Sequence, residues 1–265
     1  MSQLSSSGTA YELTGSPNNP TLVLIHGLGL NRKVWTDHIE PLAASYRVLT
    51  YDLFGHGETV QPPSRPSLSL FSEQLAGLLN ELDIASAHIS GFSLGGMINR
   101  RLAMDRPDLV LSLIIHNSPH ERSPEGQATV EKRAADTGAG GPGATLDATI
   151  ERWFTADYIV SHPKEIQMVR DWVLANEIES YTQCRQVLAH GVKELIRPKP
   201  PITHPTLVMT CENDSGSTPA MSHAIASEIA GAETIIVPAL QHMGLMEQPA
   251  LFVGPTLKFL NNLSN

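Results

Sequence analysis

Ser93 stands in the stretch Ser90-Gly91-Phe92-Ser93-Leu94-Gly95-Gly96, with a glycine two residues before it and another two after. The apolar-rich Ala87-His88-Ile89 leads into it as the end of a strand, and Met97 to Met104 reads as a helix. A serine on so sharp a strand-to-helix turn has its hydroxyl pushed out of the backbone, and flanking side chains would collide, so glycine is needed on both sides. Read this way, Ser93 is a nucleophile. Such chemistry needs a base for the hydroxyl proton, an acid to orient that base, and donors for the developing oxyanion. Asp214 follows the apolar run Thr206 to Cys211, and His242 follows Thr234 to Val237, so both stand a few residues past a predicted strand end. The donors would be the backbone N–H groups of Leu94 and of Leu28, the latter in the loop His26-Gly27-Leu28-Gly29 after the run Thr21 to Ile25. Each such donor is typically worth about 3 kcal/mol of barrier. The order Ser93, Asp214, His242 is that of a nucleophile, acid and base carried on successive strand ends.

Other polar residues compete for these roles. Glu212 is the rival acid, nearer the strand end than Asp214. His56, in Asp52-Leu53-Phe54-Gly55-His56-Gly57, is read as shaping its turn rather than as a base. His26, His116 and His120 also lie near predicted strand ends, where each either lines the pocket or satisfies a backbone group.

These residues have to be held by a sheet. Thr21 to Ile25, Arg47 to Tyr51, Val110 to His116 and Thr206 to Cys211 are short apolar runs of the kind buried on both faces of a parallel sheet. Between them fall helices over Val34 to Leu42 and about Leu70 to Leu82, the latter with Leu75, Leu78, Leu79 and Leu82 on one face. A helix capped at Thr218 closes at Gly231, and a last one runs from about Pro249 to Leu260. This alternation predicts an α/β fold, a mostly parallel twisted sheet flanked by helices. From about Pro119 to Pro200 there is no convincing strand. Helix-like segments Gln127 to Ala135, Leu146 to Phe154, Lys164 to Asn176 and Ser180 to Ala189 surround a flexible hinge or loop, Thr137 to Gly143. The expected organisation is a core over 1–118 and 201–265, with a helical cap over 119–200 placed above the strand ends, where it would wall the site.

Composition bounds the function. The 265 residues are 41% hydrophobic, enough for a sizeable core. A net charge of -9 without a run of lysine or arginine argues against nucleic acid or an anionic membrane as partner. Cys184 and Cys211 lack metal-ligand spacing and suggest no disulfide framework. No metal or organic cofactor is implied. Met1 to Asn19 has no basic patch followed by an apolar run, and nowhere do 18 apolar residues run together, so a cytoplasmic protein is expected. The oligomeric state is not legible.

The whole chain resembles an α/β-hydrolase. Gly91 to Gly96 matches that superfamily's nucleophile elbow, His26 to Gly29 its oxyanion loop, and Asp52 to Gly57 its turn after the next strand. Within the superfamily it is most similar to the 3-oxoadipate enol-lactonase and carboxylesterase branch, through Glu151-Arg152-Trp153-Phe154-Thr155-Ala156-Asp157-Tyr158, His162-Pro163, Tyr181 and Cys184. The resemblance implies that Trp153 lines a substrate pocket. Leu94 departs from the methionine usual after the lactonase nucleophile, and Cys211 from a common glycine before the acid. The expected function is hydrolysis of a small-molecule ester or lactone, an enol-lactone of aromatic catabolism being one instance, through an acyl-serine. The alternatives are carbon-carbon bond hydrolysis with the same triad, and a ligand-binding protein on the same fold.

Overall fold

The computed structural model describes residues 2–263. Eight strands form one sheet: β1 (Gln3–Leu4), β2 (Ala10–Thr14), β3 (Thr21–Ile25), β4 (Arg47–Tyr51), β5 (Ala87–Phe92), β6 (Val110–His116), β7 (Thr206–Cys211) and β8 (Glu233–Val237). Their order in the sheet is β1-β2-β4-β3-β5-β6-β7-β8. From β4 to β8 every neighbouring pair is parallel, while β1 with β2 and β2 with β4 are antiparallel. All residues of β3, β5 and β7 are buried, which is why β3 and β7 read as largely apolar runs.

Two strands lie where the sequence suggests none. β1 is two exposed residues, and β2 is buried only at its start, so neither presents the continuous apolar run of a central strand. They pair at the sheet edge, where the backbone ladder rather than side-chain burial holds them.

Helices cover both faces. α1 (Thr36–Ala43) and α2 (Leu68–Glu81) precede β5, and α3 (Leu94–Asp105) follows it. The Ser67 hydroxyl caps α2 by accepting from the Leu70 N–H at 3.1 Å, and Phe71, Leu75, Leu78 and Leu79 form its buried stripe. Between β6 and β7 the chain makes a helical insertion: α4 (Pro124–Gly140), α5 (Leu146–Trp153), α6 (Ala156–Ser161), α7 (Pro163–Leu174) and α8 (Ile178–His190). After β7 come α9 (Pro219–Ser227), the single turn α10 (Gly244–Glu247) and α11 (Ala250–Leu263).

The expected hinge at Thr137 to Gly143 is a correction. α4 continues through Gly138 and Gly140, and the chain turns only at Gly141, whose φ of 72° suits glycine. Burial of Ala134 and Thr137 where α4 packs on α8, with the Thr137 hydroxyl donating to the Arg133 carbonyl, outweighs the low helix propensity of the glycines. The insertion is continuous with the core: Leu146, Ile150, Phe154, Val169 and Cys184 belong to the same apolar cluster as the sheet strands. Among the described residues no helix is long and apolar enough to cross a membrane.

Candidate active site

The turn between β5 and α3 places Ser93 at φ 55°, ψ −111°, a left-handed conformation that costs a non-glycine residue strain. Its surroundings over-determine it. The Ser93 N–H donates to the His116 carbonyl at 2.8 Å, and the Ser93 carbonyl accepts from the Ser118 hydroxyl at 2.9 Å. A Cβ at Gly91 would overlap the Gly95 carbonyl, and one at Gly95 would overlap the carbonyl of Ile25, so the two flanking glycines are needed for close packing. Buried Arg100 ties the region together: it donates to the Gly96 and Pro119 carbonyls at 2.9 and 2.8 Å and to the Ser118 hydroxyl at 3.0 Å.

Past the ends of β7 and β8, His242 Nδ1 and Asp214 Oδ2 meet at 2.6 Å. Asp214 is fully enclosed. Its Oδ1 accepts from the N–H groups of Gly216 and Ser217 at 2.8 and 2.9 Å, and its Oδ2 from the Asn117 amide at 2.9 Å. Burial alone would raise its pKa, but His242, Asn117 and the Ser217 N–H outweigh it and hold the carboxyl below its ordinary range. An ionised carboxylate only accepts, so Nδ1 carries the proton and Nε2 is the basic nitrogen. Two aromatic rings lie close to the imidazole, Phe92 at 4.9 Å and Trp153 at 5.9 Å between centroids.

The loop after β3 approaches Ser93 from the other side. A Cβ at Gly27 would stand 3.2 Å from the Ser93 Cβ and 3.1 Å from the Phe92 ring. His26 fixes this loop: Nε2 accepts from the Leu53 N–H at 2.9 Å, so Nδ1 is the donor to the Gly27 carbonyl at 2.7 Å. The Gly29 carbonyl accepts from the Asn176 amide of the insertion at 3.1 Å. Neither the Leu28 nor the Leu94 N–H has an acceptor among the described residues.

The insertion closes the space above. One pocket is lined by Gly27, Leu28 and Ser93 from the core, by Trp153 from α5, and by Gly216 and His242 from the late loops. Four arginines of the insertion, Arg122, Arg133, Arg152 and Arg185, also line it. α5 is clamped to the His242 loop. The Met243 N–H donates to the Trp153 carbonyl at 2.8 Å, and the Thr155 N–H and hydroxyl donate to Glu247 at 2.9 and 2.6 Å. The Gln241 amide, turned to satisfy its neighbours, donates to the Glu151, Arg152 and Phe154 carbonyls at 3.0, 3.0 and 2.7 Å.

Ser93, Leu28, Trp153 and His242 therefore share one pocket, Asp214 stands behind His242, and Leu94 is buried at the start of α3. The rivals stand apart. Glu212 is exposed and accepts from the Ala239 N–H at 3.0 Å. His56 Nδ1 bonds the Phe54 carbonyl at 3.0 Å, and His116 Nε2 bonds the Ser90 hydroxyl at 3.0 Å. Burial pushes both imidazoles down to about 3. His120 faces Glu228 at 3.2 Å. Sequence reasoning missed Asn117, Ser118 and Arg100, and the arginines of the pocket. Asn117 and Ser118 carried one signal: both follow a buried strand, at the sheet edge where β5 and β7 also end. Among the described residues no cluster of three or more His, Cys, Asp or Glu is arranged to hold a metal.

An eight-stranded, mostly parallel sheet with a helical insertion after β6 and a serine on the turn after β5 defines an α/β hydrolase. The chain belongs to the alpha/beta hydrolase family, which it matches over residues 22–254. It is similar to the (E)-2-((N-methylformamido)methylene)succinate hydrolase of Acinetobacter baylyi, 26% identical over 247 residues that cover 93% of this chain and 92% of the relative. It is also similar to 3-oxoadipate enol-lactonase 2 of that species, 27% identical over 243 residues that cover 91% and 89%. Among solved structures, the enol-lactonase from Burkholderia xenovorans LB400 has a TM-score of 0.86 at 29% identity, over 96% of both chains.

Proposed function

We propose that the protein hydrolyses a carboxylic ester or lactone through an acyl-serine intermediate, with Ser93 as nucleophile, His242 as general base and acid, and Asp214 orienting His242. The reading is carried by the Asp214–His242 pair at 2.6 Å in the pocket that Ser93 lines. His242 Nε2 takes the hydroxyl proton as Ser93 Oγ attacks the carbonyl carbon, and the N–H groups of Leu28 and Leu94 bind the oxyanion. Collapse breaks the acyl–oxygen bond, and His242 returns the proton to the departing alkoxide. A water then gives its proton to His242 and attacks the acyl carbon, and Ser93 leaves with that proton restored. His242 and water carry every proton in the cycle.

Trp153 forms the wall beside His242 and contacts the acyl or leaving group. Similarity to enol-lactonases favours a lactone within this class. The test is steady-state turnover of a panel of lactones and aryl esters beside Ser93→Ala. The expected result is turnover of at least one class, reduced by roughly 10⁴-fold or more in the variant. Cleavage of vinylogous diketones with no ester or lactone turnover would contradict the assignment.

A further inference from the structure

The guanidinium groups in the pocket are not explained by ester chemistry alone. Arg133 on α4, Arg152 on α5 and Arg185 on α8 come from three helices of the insertion and line one pocket. Among the described residues none of them has a carboxylate within salt-bridge distance, whereas Arg32, Arg101, Arg106 and Arg170 each have at least one. Arg185 is only 7% exposed and lies close enough to Tyr181 to act on it electrostatically. Arg122 differs, being spent on the Leu188 and Ala189 carbonyls at 3.3 Å.

Arg185 is buried while Arg133 and Arg152 are partly exposed, and like charges brought together at a partly enclosed pocket repel one another, a repulsion that an anion at the pocket relieves. Burial, together with Arg133 and Arg185, lowers the Arg152 pKa to about 10, so it remains a cation at neutral pH. Asp214 attracts Arg152 but already serves His242. A ligand bearing negative charge would supply the counter-charge that the protein does not place here. One carboxylate brings a single negative charge against three guanidinium groups, so a single acid group leaves two of the positive charges uncompensated.

The cluster also spans the pocket. Arg152 lies against Gly216 on the Asp214 side, where a Cβ would meet its Nη1 at 3.0 Å. Arg185 stands by Tyr181, whose ring covers Gly29 in the loop after β3. We propose that the natural substrate carries two carboxylate groups besides the bond that is cleaved, one held by Arg152 and the other by Arg133 and Arg185. This rests on the hydrolytic reading of the Ser93 site, since it names the acyl compound that site would receive.

Titration calorimetry of Ser93→Ala protein with glutarate, butyrate and inorganic phosphate tests the binding. Glutarate is expected to bind at least tenfold more tightly than butyrate, and to lose at least tenfold when Arg133→Gln or Arg185→Gln is added. The two substitutions are made separately and checked by circular dichroism, so misfolding of one leaves the other to decide. Equal binding of glutarate and butyrate, phosphate binding more tightly than glutarate, or indifference to both substitutions would overturn the proposal. Turnover of neutral esters without glutarate binding would reject the dicarboxylate and keep the hydrolase. Glutarate binding without turnover of any ester or lactone would do the reverse.

Discussion

Asn117 connects the acid to the sheet more directly than its place in the chain suggests. It follows β6, its N–H donates to the Met209 carbonyl at 2.8 Å, and its amide donates to Asp214 Oδ2 at 2.9 Å. Its φ of 45° is tolerated by asparagine and costs glycine nothing. Asn117→Gly therefore removes the hydrogen bond without adding backbone strain. A bond to a charged group is worth about 1.5–3 kcal/mol, so kcat should fall by roughly tenfold or more with KM little changed. A rise in KM alone would place Asn117 in the pocket wall instead. That Ser93, Asp214 and His242 come together at one end of the sheet was legible because each stands just past a strand end. Asn117 was not, since one asparagine after a strand has no partner in the sequence to give it meaning. The arginines were hidden for a related reason: they lie far apart on separate helices, and only packing brings them together.

At the scale of elements, α5 and the loop carrying His242 behave as one unit. Glu247 accepts from both the N–H and the hydroxyl of Thr155, and the Met243 N–H donates to the Trp153 carbonyl. The Trp153 backbone is thus joined to that of Met243, the residue after His242. Glu247→Ala should free that joint locally. Amide hydrogen exchange at Thr155 and Met243 is expected to rise while strands β3, β5 and β7 keep their protection. Exchange rising uniformly across the sheet would mean that Glu247 supports global stability instead. The strands themselves were readable, because β3 and β7 are buried throughout and β6 at all but Leu111, and so carry largely apolar runs. β1 and β2 were not, lying at an edge with little buried surface, and neither was the glycine-bearing end of α4, whose helix is decided by contact with α8.

For the molecule as a whole, four histidines are folded in as neutral rings. Burial lowers His26 and His38 to about 4, and His56 and His116 to about 3. In the unfolded chain each returns to about 6.5. Between those values the unfolded state binds protons that the folded state does not, so stability is full above about pH 6.5 and is lost as pH falls toward 4. Each histidine contributes a slope of roughly 1.4 kcal/mol per pH unit in that window. Acid also neutralises the net charge of -9 and relieves self-repulsion, which works in the other direction. Four buried rings outweigh this diffuse effect, and the urea unfolding midpoint should drop steadily from pH 7 to pH 5. A midpoint that stays level or rises over that range would contradict it.

The central claim is that Ser93 is an activated nucleophile, and covalent labelling tests it most directly. Incubation with a fluorophosphonate, followed by intact mass and peptide mapping, should give one adduct on Ser93. The adduct should be absent from Ser93→Ala and strongly slowed in Asp214→Asn, where the orientation of His242 is lost. Folded protein that stays unlabelled, or that carries the adduct on another residue, would show that the serine on this turn is not the nucleophile.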